Sequence, residues 1–152
     1  MGTPASQPIT RTAASHLLHV ALQMKAEIES RIQAETGMLL ADNEALLNLA
    51  HHDEPLRMST IAERLIISKG GTTKVIDRLE AQSLVVRSQD PSDRRALVVE
   101  ITPKGREVLA SMQSIVDAAV EEYWGQHVSN EEAATVSDIA LRVVKCNKNW
   151  IE

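Results

Sequence analysis

The stretch "RSQDPSDRRALVVEIT" sets two adjacent arginines, Arg94 and Arg95, directly after a run of turn-forming residues, Asp90-Pro91-Ser92-Asp93. Cationic side chains at the tip of a turn suit a polyanion, above all the phosphates and grooves of a nucleic acid. The whole-chain charge argues the other way: 16 Lys+Arg against 21 Asp+Glu leave a net charge of −5. The distribution of charge resolves the conflict. Residues 57–106 hold ten Lys+Arg and six Asp+Glu, whereas the rest of the chain holds six and fifteen. A basic middle between acidic flanks fits one module that meets phosphate and flanks that do not. The alternative is a solvated surface with chance clustering.

Other groups capable of chemistry are few. His16 and His19 stand three apart, a spacing usable for a metal, and His51 and His52 follow one another. Ordinary surface or helix-terminal histidines remain the competing reading. Cys146 is the single cysteine, which excludes an internal disulfide and a Cys-rich zinc site. Its neighbours Lys145 and Lys148 would favour a thiolate, but a lone late cysteine is more often inert. There is no nucleophile elbow, phosphate-binding glycine loop or zinc-hydrolase motif. No enzyme activity, catalytic residue, cofactor or metal is therefore expected. No apolar run approaches the roughly 18 residues of a membrane span, and "MGTPASQPIT" lacks the pattern of a signal peptide and reads as a flexible tail. A reducing, cytoplasmic setting is the simplest expectation.

The elements that must position these residues follow from periodicity. Leu17, Val20/Ala21, Met24, Ile28 and Ile32 recur at helical spacing over about Thr10 to Glu35, with Gly37 as a stop. "ADNEALLNLAHH" predicts a second helix capped by Asp42 or Asn43. "MSTIAERLI" predicts a short third, capped by Ser59 or Thr60. A fourth, capped by Ser68, runs through "KGGTTKVIDRLEAQ" with Val75, Ile76 and Leu79 buried. The period then changes to that of strands: "LVVRS" and "ALVVEIT" flank the Asp/Pro/Ser turn as a hairpin, with Leu97, Val99 and Ile101 sharing a face. Thr102-Pro103 opens a long helix carrying Val108, Met112, Ile115/Val116, Ala119 and Tyr123 and ending near Gly125. A last helix begins at Ser129-Asn130, with Ala133, Val136, Ile139/Ala140 and Val143 along one stripe. A short helix, a basic helix and a twisted hairpin in succession are the arrangement of a winged helix–turn–helix. The fold class expected is mainly α with a small β-hairpin wing, flanked by long helices. Apolar arms on both sides of a compact module usually meet across a two-fold axis, so a homodimer is expected, with a monomeric bundle as the alternative.

"ISKGGTTKVIDRLEAQSLVVRSQDPSDRRALVVEITPKGREVL" resembles the core of the MarR (multiple antibiotic resistance regulator) family over roughly residues 56–109, and the helix layout agrees over nearly the whole chain. The Asp-x-Arg pattern in "DPSDRRA", followed by a strand and "TPKGRE", is its most specific part. The chain departs from the family at Ser83, where glycine is common, and at Gly70-Gly71 within the recognition helix. The resemblance implies a dimeric transcription regulator, often a repressor released by a small ligand. It implies a tail at 1–10, dimerisation arms at 11–36 and 102–148, and a DNA-binding lobe at 40–101, forming one integrated domain.

On that reading the partners are a pseudo-palindromic DNA duplex, a second copy of the chain and a small-molecule effector. Thr72, Thr73 and Lys74 would meet base edges in the major groove, while Ser68, Lys69 and Arg78 would meet phosphates. Gly70 and Gly71 would let the backbone approach DNA closely; the alternative is a plain loop-to-helix junction. The helix has no Asn or Gln before Gln82, so bidentate reading of adenine is not expected. In the wing, the resemblance makes Arg95 the side chain inserted into the minor groove, held extended by Asp93, with Arg94 on phosphate or supporting the loop. The competing reading is an ordinary exposed Asp–Arg pair. It places an effector pocket where the arms meet the lobe, for which His16, His19, His51 and Arg87 are the candidates, suited to an aromatic or phenolic carboxylate. A metal- or redox-responsive regulator and a winged-helix protein-interaction module that does not bind DNA are the alternatives.

Overall fold

The computed structural model describes residues 9–65 and 69–146. The expected tail therefore lies, apart from Ile9 and Thr10, outside the described residues, as do Ser68 and Lys148. Helix α1 spans Ile9–Thr36 and α2 spans Leu40–Ala50. A two-residue strand β1, Leu56–Arg57, precedes α3, Met58–Arg64. The basic helix α4, Lys69–Ala81, leads into β2, Val85–Gln89, and β3, Leu97–Ile101. Helices α5, Pro103–Val120, and α6, Asn130–Cys146, complete the chain.

The joint between α1 and α2 is tight. Gly37 adopts φ +69, a left-handed conformation open to glycine without a Cβ penalty, and its N–H returns to the Gln33 carbonyl at 2.9 Å. Only Met38 and Leu39 then separate the helices, so α2 begins earlier than a side-chain cap at Asp42 or Asn43 would require. The backbone of Leu39 is the N-cap. Asp42 stands in the first turn, where its carboxylate accepts the Leu39 N–H at 2.9 Å. Helix α3 likewise starts ahead of the expected caps Ser59 and Thr60, because β1 ends on Arg57 and the helix follows at once.

The sheet order is β1-β3-β2, antiparallel throughout. Strand β1 is too short to show periodicity and comes from the structure alone. Val85, Val99 and Ile101 are buried against the helices, but Leu97, expected on the same inner face, is 47% exposed because it lies at the outer end of the hairpin. Val98, on the other face, is buried and lines a hollow with Pro55, Arg57 and Pro91.

Helix α5 is seated on the base of the wing. Thr102 caps it, accepting the Gly105 N–H at 3.0 Å, while its own N–H donates to the Leu84 carbonyl at 3.0 Å. The turn out of α4 is a Schellman motif: Leu84 N–H reaches Leu79 O at 2.9 Å and Ser83 N–H reaches Glu80 O at 2.8 Å. Its left-handed position falls on Ser83, φ +60, a conformation that costs a non-glycine residue on the order of 1 kcal/mol. The long helix does not run regularly to Gly125. Residues Glu121–Gly125 form a π-helical turn, and the Glu121 carboxylate lies against Gly125 where a side chain would otherwise stand. Helix α6 opens on a capping box in which Ser129 N–H and hydroxyl donate to Glu132 at 2.9 and 2.8 Å. These bonds hold the Glu132 carboxyl below its ordinary value.

One core joins Ile28 and Ile32 of α1, Ala45, Leu46 and Leu49 of α2, Ile61, Val75, Ile76 and Leu79 of the helix–turn–helix, and Leu109, Met112 and Ala119 of α5. The arms outrun it. Leu17, Leu18 and Leu22 on α1 are 46–61% exposed, and α6 has no buried residue, with Ile139, Leu141 and Val143 open to solvent.

Candidate nucleic-acid interface

Helix α4 presents one face to the core and another outward, and the division decides which residues can touch a ligand. Val75, Ile76 and Leu79 are buried, and Thr72 joins them at 1% exposure. Spacings of three, four and seven place Thr72 on the inward stripe. The expectation that Thr72 reads a base edge is therefore corrected: its side chain belongs to the junction with α3. Thr73 and Lys74 are exposed, one and two residues further round the helix. Gly70 is exposed too, and a Cβ added there would meet nothing within 4 Å. The fold itself does not require glycine at this position.

Two arginines fix the rest of α4. Arg78 Nη2 donates to the Asp42 carboxylate at 2.5 Å, and Asp42 is 1% exposed. Arg78 thus fastens α4 to α2. A buried carboxylate stays charged at tolerable cost only when paired and hydrogen-bonded, and the Leu39 N–H takes its second oxygen. From the wing, Arg87 donates to Asp77 at 2.5 Å and to Glu80 at 2.7 Å. Two carboxylates of α4 thus hold the Arg87 guanidinium and brace the wing against the helix. Neither brace could be read from the sequence, although Asp77 and Glu80 share one side of α4 by their spacing.

At the wing tip the two arginines stand exposed, and among the described residues neither forms an ion pair. Asp93 does support Arg95, but through the backbone: its carboxylate accepts the Arg95 N–H at 3.0 Å, and its carbonyl accepts the Ala96 N–H at 2.9 Å. The aspartate shapes the turn from which the side chain departs and makes no contact with the guanidinium. Asp90 anchors the start of the loop. It is 6% exposed and accepts the Ser92 hydroxyl at 2.6 Å, the Ser92 N–H at 2.8 Å and Arg57 Nε at 2.6 Å.

The Ser92 bonds, followed by Arg57, hold the Asp90 carboxyl down from 3.8 to about 2. A depressed folded-state value stabilises the loop above the ordinary carboxylate range and loses that contribution as pH falls through about 2. An NMR titration of the Asp90 carboxyl should therefore give a midpoint near 2 in the native protein and a higher one in Ser92→Ala. A midpoint unchanged by the substitution would remove Ser92 as the cause.

His16, His19 and His51 are exposed, the first two on the free part of α1 and the last at the end of α2. The cavities around Trp124, between α3 and α4, and on either side of the wing contain none of them. None of these four cavities brings the candidate effector residues together. No group of three or more His, Cys, Asp or Glu among the described residues could hold a metal ion. Cys146 is exposed at the end of α6. The side chain of Lys69 and all of Ser68 lie outside the described residues.

Residues 44–97 match the model of the MarR family. The transcriptional regulator MhqR of Bacillus subtilis is 32% identical over 101 residues, covering 65% of this chain and 68% of that protein. The chain belongs to the MarR family. YkoM of Bacillus subtilis, an HTH-type transcriptional regulator, is 38% identical over 71 residues, 47% of this chain and under half (46%) of its own length. The fold agrees further. Sco3205 of Streptomyces coelicolor, a MarR family regulator solved with DNA, superposes with a TM-score of 0.82 at 21% identity, covering 97% of this chain and 94% of that one. CouR of Rhodococcus jostii RHA1, solved with p-coumaroyl-CoA, gives 0.77 at 22%, covering 97% and 100%. This MarR family chain is a transcriptional regulator with a winged helix–turn–helix fold, and no described helix is long and apolar enough to cross a membrane.

Proposed function

We propose that this MarR regulator acts as a homodimeric repressor that binds a pseudo-palindromic duplex and releases it when a small aromatic or phenolic ligand binds. The observation that carries the reading is the pair Arg94 and Arg95, exposed at the wing tip without an ion pair among the described residues, together with the exposed Thr73 and Lys74 of α4. Thr73 and Lys74 meet the major groove, Gly70 lets the backbone approach the DNA, and Ser68 and Lys69 meet phosphate. Arg95 enters the adjoining minor groove and Arg94 lies along phosphate. The exposed leucines of α1 and the uncovered face of α6 supply the apolar surface for a two-fold partner. The ligand class is supported by CouR, a relative in fold solved with an aromatic thioester. No side chains of this chain are assigned to the effector, because none of the cavities described above is lined by more than one of His16, His19, His51 and Arg87.

The test is a footprint of the purified protein on the DNA upstream of its own gene, repeated with phenolic carboxylates. Two protected half-sites about one helical turn apart are expected, with protection lost when an effector is added. Absence of any protection at low salt would overturn the reading.

A further inference from the structure

Arg57 belongs at once to the wing and to the helix–turn–helix. It pairs with Val98 of β3 and, with no residue between, serves as the backbone N-cap of α3. Its guanidinium crosses to the wing loop, where Nε donates to Asp90 at 2.6 Å and Nη2 to the Ser92 hydroxyl at 3.2 Å. The other Asp90 oxygen gathers the Ser92 N–H and hydroxyl. The outgoing half of the loop, Asp90–Ser92, is thereby tied to the entrance of α3. The returning half, with Arg94 and Arg95, projects beyond the tie. Ladder pairing stops at Gln89 and Leu97, and one further bond, from the Asp90 N–H to the Ala96 carbonyl at 3.0 Å, closes the loop, so the tip residues 91–95 lie beyond the strands. An open hollow lined by Arg57, Met58, Ser59, Arg95 and Ala96 separates the tip from α3 and leaves room for it to swing.

We propose that Arg57 is a positioning residue for DNA recognition, which clamps Asp90 and Ser92 to the start of α3 and so sets the span between the outward face of α4 and Arg95. The inference rests on the DNA-binding reading above. Adjacent major and minor grooves lie at a set separation, so a tip displaced from α4 loses its groove even when every contacting side chain is intact. The ion pair is half exposed at Arg57, and the buried Asp90 keeps both Ser92 bonds when the arginine is removed. The value of the pair lies in geometry.

The experiment uses the full chain and a duplex selected by the native protein from a random-sequence library. Affinity and hydroxyl-radical footprints are compared for the native protein, Arg57→Ala, Asp90→Asn, Arg95→Ala and the Arg57→Ala/Arg95→Ala double variant, with thermal melts alongside. Arg57→Ala should melt close to the native protein, keep its major-groove contacts, lose minor-groove protection and bind about tenfold more weakly. In the Arg95→Ala background the same substitution should cost far less, because the two act through one contact. Additive losses, or an unchanged minor-groove footprint, would overturn the proposal. Should Arg57→Ala fail to fold, Asp90→Asn must show the same loss of wing protection, and native-like protection there would overturn it equally. If the native protein selects no duplex, the DNA-binding reading falls and this inference with it.

Discussion

Gly105→Ala is expected to destabilise the protein by about 3 kcal/mol, the upper range for forcing an atom into a packed site. A Cβ at this position would stand 2.1 Å from the Leu84 carbonyl oxygen and 2.8 Å from Ile101 Cγ1. The isoleucine can rotate away. The carbonyl cannot, because it accepts the Thr102 N–H at 3.0 Å and the Thr102 hydroxyl at 3.1 Å, the bonds that join α5 to the wing. Alanine ordinarily gains about 1 kcal/mol over glycine inside a helix, so the substitution sets propensity against contact. Contact wins here, since backbone meets backbone. Urea denaturation should show a lower midpoint at unchanged slope. A midpoint at or above that of the native protein would mean that α5 can slide on its seat and that the glycine is not required there.

Arg95→Ala is expected to weaken binding to a selected duplex by roughly ten- to a hundredfold, the range for losing one groove-reading arginine. The melting temperature should hardly move, because Arg95 is exposed and, among the described residues, forms no ion pair that the fold would lose. Arg94→Ala should cost less and act uniformly across sequences, as a phosphate contact does. Gel-shift titration at fixed salt separates the two. Retained affinity in Arg95→Ala would remove the minor-groove role, and equal losses in both variants would assign the wing to general phosphate contact. The backbone bond from Arg95 to Asp93 refines the family's Asp-x-Arg pattern in this chain. Asp93 shapes the turn, and the arginine head is left free for DNA.

Much of this interface was legible in the sequence because its elements obey strong local rules. The change from helical to strand periodicity placed the wing, and Thr102-Pro103 placed the start of α5. The departure at Ser83, where glycine is common in the family, falls on the left-handed position of the turn, φ +60. What escaped was set by contacts distant in the chain. Strand β1 has two residues, too few to carry a period, so the double role of Arg57 could not be seen. The partners of Arg78 and Arg87 are chosen by how α2, α4 and β2 pack, which no local pattern states. Thr72 is a different case. Its spacing to Val75, Ile76 and Leu79 already put it on the inward stripe, but its hydroxyl suggested base reading, and periodicity was the better guide. The arms show the reverse limit: apolar stripes on α1 and α6 were readable, yet a single chain leaves them uncovered.

DNA binding by the basic lobe of this acidic chain is proposed to rest on phosphate neutralisation and a wing arginine. It is tested most directly by titrating the selected duplex with purified protein between 50 and 200 mM salt. If a dimer neutralises on the order of six to ten phosphates, affinity should fall by roughly 10³–10⁵ over that range, linearly on a log–log plot. A flat response would contradict the claim and assign the arginine pair to a partner other than nucleic acid.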